Sequence, residues 1–154
     1  MSTRRRSKQL RAKVDGQYGW ERLPFFGRDH GKKSFWDVPM TGGYFGGIEA
    51  GTSIACMYLK HIRHHRDDKI HDASGILTSV LAAMDAKQPS NELEADSLRG
   101  QRVGFMSVVC VWIRAAAERL GTSLDEISEG ELIDKANGSL MRTDAAFRAA
   151  IERN

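Results

Sequence analysis

Val103-Gly-Phe-Met-Ser-Val-Val-Cys-Val-Trp-Ile113, running straight into Arg114-Ala-Ala-Ala-Glu-Arg-Leu120, is the stretch that decides the fold. Taken alone, Phe105–Ile113 also suits a strand, because it holds three valines and an isoleucine. The continuation favours helix: alanine, glutamate, arginine and leucine are strong helix formers, and together the two runs exceed the length of an ordinary strand. The spacing predicts one long element from about 91 to 120, with Gly100 as its candidate interruption. Its centre is apolar on all sides, the signature of a helix buried all round. Eleven uncharged residues are too few to cross a bilayer.

Further helices follow on either side. Thr52 or Ser53 can cap one that carries Ile54, Met57, Tyr58, Ile62 and His65 at 3–4 spacing. Asp72 or Ser74 can cap the next, with Ile76, Leu77, Val80, Leu81 and Met84 as its stripe. Pro89-Ser90 stops the chain and restarts it. Gly121 can end the long helix, and Ser123-Leu-Asp-Glu126 reads as a capping box before Leu124, Ile127, Leu132 and Ile133. Asn137-Gly138 closes that helix, and Thr143 caps a last one bearing Phe147 and Ile151. The expected fold class is mainly α, with about five helices around the buried central helix.

Residues 17–47 read differently. Eight of the twelve aromatic residues lie between Tyr18 and Phe45, and eight of the fifteen glycines between Gly16 and Gly47. Pro24 and Pro39 punctuate this segment, and Gly42-Gly43 and Gly46-Gly47 mark turns. It is expected to be irregular, with a short hairpin drawn from Phe35–Val38 and Gly43–Phe45. Residues 1–16 have little to bury beyond Leu10 and Val14 and read as a flexible basic arm. The expected organisation is therefore that arm and a single globular domain over 17–154.

Charge is unevenly spread. Residues 1–66 carry 13 Lys/Arg against 5 Asp/Glu, a balance of +8, and residues 67–154 carry 10 against 15, a balance of −5. A basic front suits a polyanion, and the acidic back can instead neutralise that front within the molecule. The start Met-Ser-Thr-Arg-Arg-Arg has no apolar run behind it, so no secretory leader and a cytoplasmic setting are expected. Cys56 and Cys110 form no C-x-x-C pair and read as buried, reduced thiols.

Motifs for catalysis are weak. His61 and His65 stand one helical turn apart, the spacing of two metal ligands, but Lys60, Arg63 and Arg66 crowd them and the H-E-x-x-H glutamate is missing. Gly46-Gly-Ile-Glu-Ala-Gly51-Thr52 has the outline of a phosphate loop without its lysine, which leaves a turn and a helix cap as the plainer reading. No G-x-S-x-G elbow occurs, and neither cysteine has a histidine or cation beside it in sequence. An enzyme is disfavoured, and neither cofactor nor metal is expected.

What remains is an aromatic–basic weave. Arg4, Arg5, Arg6, Lys8, Arg11, Arg28, Lys32, Lys33, Lys60, Arg63 and Arg66 are the candidate phosphate contacts, with Trp20 and Trp36 the candidate stacking rings. Burial of most of these rings as anchors of an irregular segment is the competing reading. The first functional expectation is a non-enzymatic protein that engages DNA, RNA or a nucleic-acid-containing complex, and no membrane. The alternative is a protein–protein inhibitor or accessory subunit whose acidic helices 123–154 dock a host defence or DNA-processing complex. Arg22-Leu-Pro-Phe-Phe-Gly-Arg28, Trp36-Asp37, Gly42-Gly43-Tyr44 and Asp72-Ala-Ser-Gly-Ile76 resemble landmarks of the ArdB-type antirestriction proteins. That resemblance implies a small mobile-element or phage protein of anti-restriction or anti-CRISPR type; it stops short of the helical C-terminal third and assigns no site residue.

Overall fold

The computed structural model describes residues 9–16, 18–29, 31–64 and 73–153. It is mainly helical. A 3-10 turn, Gly19–Arg22, precedes a two-stranded antiparallel hairpin of β1 (Gly27–Asp29) and β2 (Lys32–Ser34). Then come α1 (Gly43–His64), α2 (Ala73–Asp85), α3 (Glu92–Leu120), a 3-10 turn at Thr122–Glu126, α4 (Glu129–Leu140) and α5 (Asp144–Ile151). Among the described residues no helix is long and apolar enough to cross a membrane. The chain divides into two compact units, 1–111 and 112–154.

In the first unit, glycine decides how α1 and α3 meet. A Cβ on Gly51 would stand 2.8 Å from the Phe105 amide nitrogen, and one on Gly47 would stand 3.0 Å from that of Gln101. Across the crossing, a Cβ on Gly100 would collide with the Tyr44 carbonyl and one on Gly104 with the Ile48 carbonyl. Tyr44 therefore meets Gly100 and Ile48 meets Gly104, so the two helices run in the same direction with their backbones touching. Only glycine permits that approach.

These contacts correct three expectations. α1 starts at Gly43 rather than near Thr52, and Gly46-Gly47 lies inside it instead of forming a turn. For the same reason Gly51-Thr52 belongs to the third turn of a helix, not to a loop or a cap. α3 runs through Gly100 without a break. Its cap is Asn91, whose Oδ1 accepts from the Glu94 amide at 2.9 Å.

A buried polar relay fixes the irregular loop to α3. Trp36 Nε1 donates to Gln101 Oε1 at 3.0 Å, and Gln101 Nε2 donates to the Pro39 carbonyl at 2.8 Å. Ser97 Oγ donates to the Thr41 carbonyl at 2.7 Å. Around the relay, Phe105 meets Trp36 edge-on at 5.5 Å and Tyr58 at 5.9 Å. Ile54, Ile76, Val80, Met84, Leu98 and Val109 complete the core. α2 presents the expected stripe; of its two candidate caps, Ser74 lies inside the helix and Asp72 lies outside the described residues. Arg102 ties its end to α3 by bonding the Met84 carbonyl and the Asp85 carboxylate, both at 2.9 Å.

The hairpin lies elsewhere than expected. Arg28 pairs with Lys33 and Gly27 with Ser34. Gly31, at φ +79°, takes the left-handed turn position that side chains avoid. Phe35–Val38 is loop, because its rings are needed inside, and Gly43–Phe45 is helix.

The second unit has no such interior. Among its described residues none is buried, and only Ala115 and Gly121 are half-buried. Trp112, Ile113, Leu120, Leu124, Ile127, Leu132, Ile133, Leu140, Met141 and Ile151 are all exposed. The central helix is therefore not buried all round: it buries one face from Ser97 to Val109, Val103 on its other side is exposed, and Val111–Ile113 face outward. The capping box falls at Ser128 and Glu131, not at Ser123 and Glu126, and α4 continues through Asn137-Gly138 to Leu140. Thr143 caps α5 as expected, accepting from the Ala146 amide at 3.3 Å.

Candidate anion-binding cleft

The 3-10 turn and α1 enclose an open cleft of about 390 Å³ in the first unit. Gly19, Arg22, Leu23 and Pro24 form one wall; Met57, Lys60, His61 and His64 form the other. The second set follows from helical geometry, since positions i, i+3, i+4 and i+7 share a face. Arg22 is brought opposite by the turn Gly19–Arg22, which is pinned by Trp20, 4% exposed, beneath it. Leu23 and Pro24 on one wall and Met57 on the other make part of the lining apolar.

The electrostatics favour an anion. Among the described residues no carboxylate lines the cleft, and no acid forms an ion pair with Arg22, Lys60 or His64. The cleft lies at the C-terminal end of α1, whose dipole places about half a negative charge there. Two full positive charges, from Arg22 and Lys60, outweigh that fraction. His61 is buried, at 7% exposure, while His64 and Lys60 are exposed. Burial pushes the neighbouring Tyr58 phenol above its ordinary value of 10.0, so it stays protonated at neutral pH.

The remaining expected contacts fall into three groups. Arg4, Arg5, Arg6, Lys8, Arg66 and His65 lie outside the described residues, so the proposed His61–His65 pair does too. Arg11, Arg28, Lys32 and Arg63 are exposed and can reach a polyanion. Lys33 is engaged at home: its ammonium lies 3.4 Å from Glu21 and 4.8 Å above the Trp20 ring. Lys13 behaves likewise, donating to the Phe26 carbonyl and sitting 5.8 Å from the Phe26 ring centre.

The stacking role of Trp20 and Trp36 is corrected. Trp36 is fully buried (0%), and Trp20 is closed in by Tyr18, Phe26 and Phe35 at 5.0–5.5 Å. An irregular segment with few backbone hydrogen bonds needs large rings as its core, and that demand takes the indoles out of reach of a base. Among the described residues the exposed rings are instead Phe45, at 79%, and Trp112, at 59%. Arg22 belongs to the aromatic–basic weave but is absent, like His64, from the expected phosphate contacts. It is 38 positions from Lys60, and only the packing of the Gly19–Arg22 turn on α1 joins them.

Comparison with protein-family models, with curated proteins and with solved structures returned no match. The geometry of the cleft is thus the basis for any functional reading.

Proposed function

We propose that this chain is a non-enzymatic binding protein whose basic first unit engages the phosphate backbone of a nucleic acid, or of a complex that carries one. The observation that carries this reading is the cleft lined by Arg22, Lys60, His61 and His64 and, among the described residues, by no carboxylate. Its size suits a phosphate with part of its sugar, and the apolar part of its lining suits the sugar face. Arg11, Arg28, Lys32 and Arg63 extend the positive surface. With Trp20 and Trp36 buried, recognition leans on charge rather than on base stacking, so it should depend little on sequence.

Fluorescence anisotropy with labelled single-stranded DNA, duplex DNA and RNA tests it. Affinity should fall steeply from about 50 to about 200 mM salt, since each neutralised phosphate releases counterions. Arg22→Glu combined with Lys60→Glu should weaken binding at least tenfold, to a similar degree on unrelated sequences, and flatten the salt slope by about two. Absence of binding at low salt, or a double variant that binds like the wild type, overturns the proposal.

A further inference from the structure

Residues 112–154, the end of α3 with α4 and α5, have no buried side chain among their described residues. Chains near 40 residues normally need a disulfide, a metal or oligomerisation to hold a fold. Both cysteines are free, exposed rather than buried as expected, and lie outside this unit, and among the described residues no cluster of His, Cys, Asp and Glu could hold a metal. Yet the sequence patterns every helix for burial. Trp112, Ile113 and Leu120 fall on one side of the end of α3, and Leu132, Ile133 and Leu140 on one side of α4. Together the exposed side chains offer on the order of 1,000 Å² of apolar surface, the scale of one side of a standard interface.

We propose that a second copy of this chain covers that surface, through a two-fold pairing of residues 112–154. Charge selects the occupant. Residues 123–134 carry Asp125, Glu126, Glu129, Glu131 and Asp134 with no Lys or Arg, a balance of −5. Residues 135–153 carry four Lys/Arg against Asp144 and Glu152, a balance of +2. A two-fold axis brings each patch against its complement twice over, because residue i meets j and j meets i. The acidic half of one copy then lies on the basic half of the other. The whole unit has six Lys/Arg against eight Asp/Glu, so two copies meet at −2 each, with little general repulsion. A polyanion or an anionic membrane has no such complement here.

Sedimentation velocity on the full chain over roughly 1–100 µM, where dimer formation follows mass action, reads the outcome. The wild type should sediment as a dimer. Trp112→Asp with Leu132→Asp should be monomeric while keeping the near-ultraviolet signal of the buried Trp36. Glu126→Lys with Asp134→Lys, and separately Arg142→Glu with Arg148→Glu, should each weaken the dimer at least tenfold. An equal mixture of these two charge-reversed variants should recover wild-type dimerisation, because every reversed charge then meets its opposite. A wild type that is monomeric throughout overturns the proposal, whether it then binds vesicles, another protein or nothing. So does a mixture that stays monomeric, since pairing would not follow the acidic and basic halves. Nucleic-acid binding by the first unit is independent of either result.

Discussion

The two units solve the same problem with opposite means. Residues 1–111 are poor in helix-forming composition at the critical places, with glycines in α1 and α3 and a coil of aromatics before them, yet they enclose a dense core. Residues 112–154 have good capping and good helical spacing, yet enclose nothing. Local signals thus specify elements, whereas close approach and buried hydrogen bonds specify a tertiary structure.

That contrast can be broken most severely at the helix crossing. Gly51→Leu or Gly104→Leu drives a side chain into the facing backbone and should cost roughly 3 kcal/mol or more, a large share of the stability of a domain this size. Chemical denaturation followed by tryptophan fluorescence checks it; unchanged midpoints would mean that the backbones do not touch. Gln101→Leu should cost less, about 1–3 kcal/mol, because it leaves the Trp36 indole and the Pro39 carbonyl buried without their bonds. The reading is the same midpoint, and Gln101→Glu should not rescue it, since a carboxylate lacks the donor that Pro39 needs.

The smaller effects sharpen the comparison from either side of the pH scale. Tyr58 has its pKa raised by burial, so its contribution is present below its ordinary 10.0 and is lost as pH rises past it. The first unit should therefore loosen in alkali, with phenol ionisation at 295 nm delayed until it does. Glu131 is the reverse case. Hydrogen bonds from the Ser128 amide and hydroxyl hold its carboxylate below the ordinary 4.5, so the cap of α4 is intact above that value and fails in acid. Being fully exposed, it should shift helicity at 222 nm only slightly, and Ser128→Ala should reduce that acid dependence without removing it, because the Ser128 amide still donates to Glu131. Smallest of all, ending the chain after Gly121 should leave the melting of the first unit within a few degrees of the full chain when both are measured dilute.

The number of helices and the extent of α3 were legible because periodicity and capping are local properties of the chain. The start of α1 was not, since Gly43, Gly46 and Gly47 all oppose helix intrinsically, and Gly47 is there for a partner some 50 positions away, at Ser97 and Gly100. The hairpin was missed because its strands, Gly-Arg-Asp and Lys-Lys-Ser, lack β-forming residues; its one honest sign was His30-Gly31. In the site, the cations of α1 could be read from spacing. Arg22 could not, and the indoles were misassigned because composition does not say which rings a loop must swallow.

Four glycines at the crossing also bear on the order of events in folding. In an isolated helix each would cost close to 1 kcal/mol relative to alanine, so the first turns of α1 have little reason to exist before α3 arrives. Secondary structure there is a product of collision rather than a preformed part. Nucleation must then bring together residues some 50 apart along the chain, which makes the crossing itself the rate-setting event for the first unit.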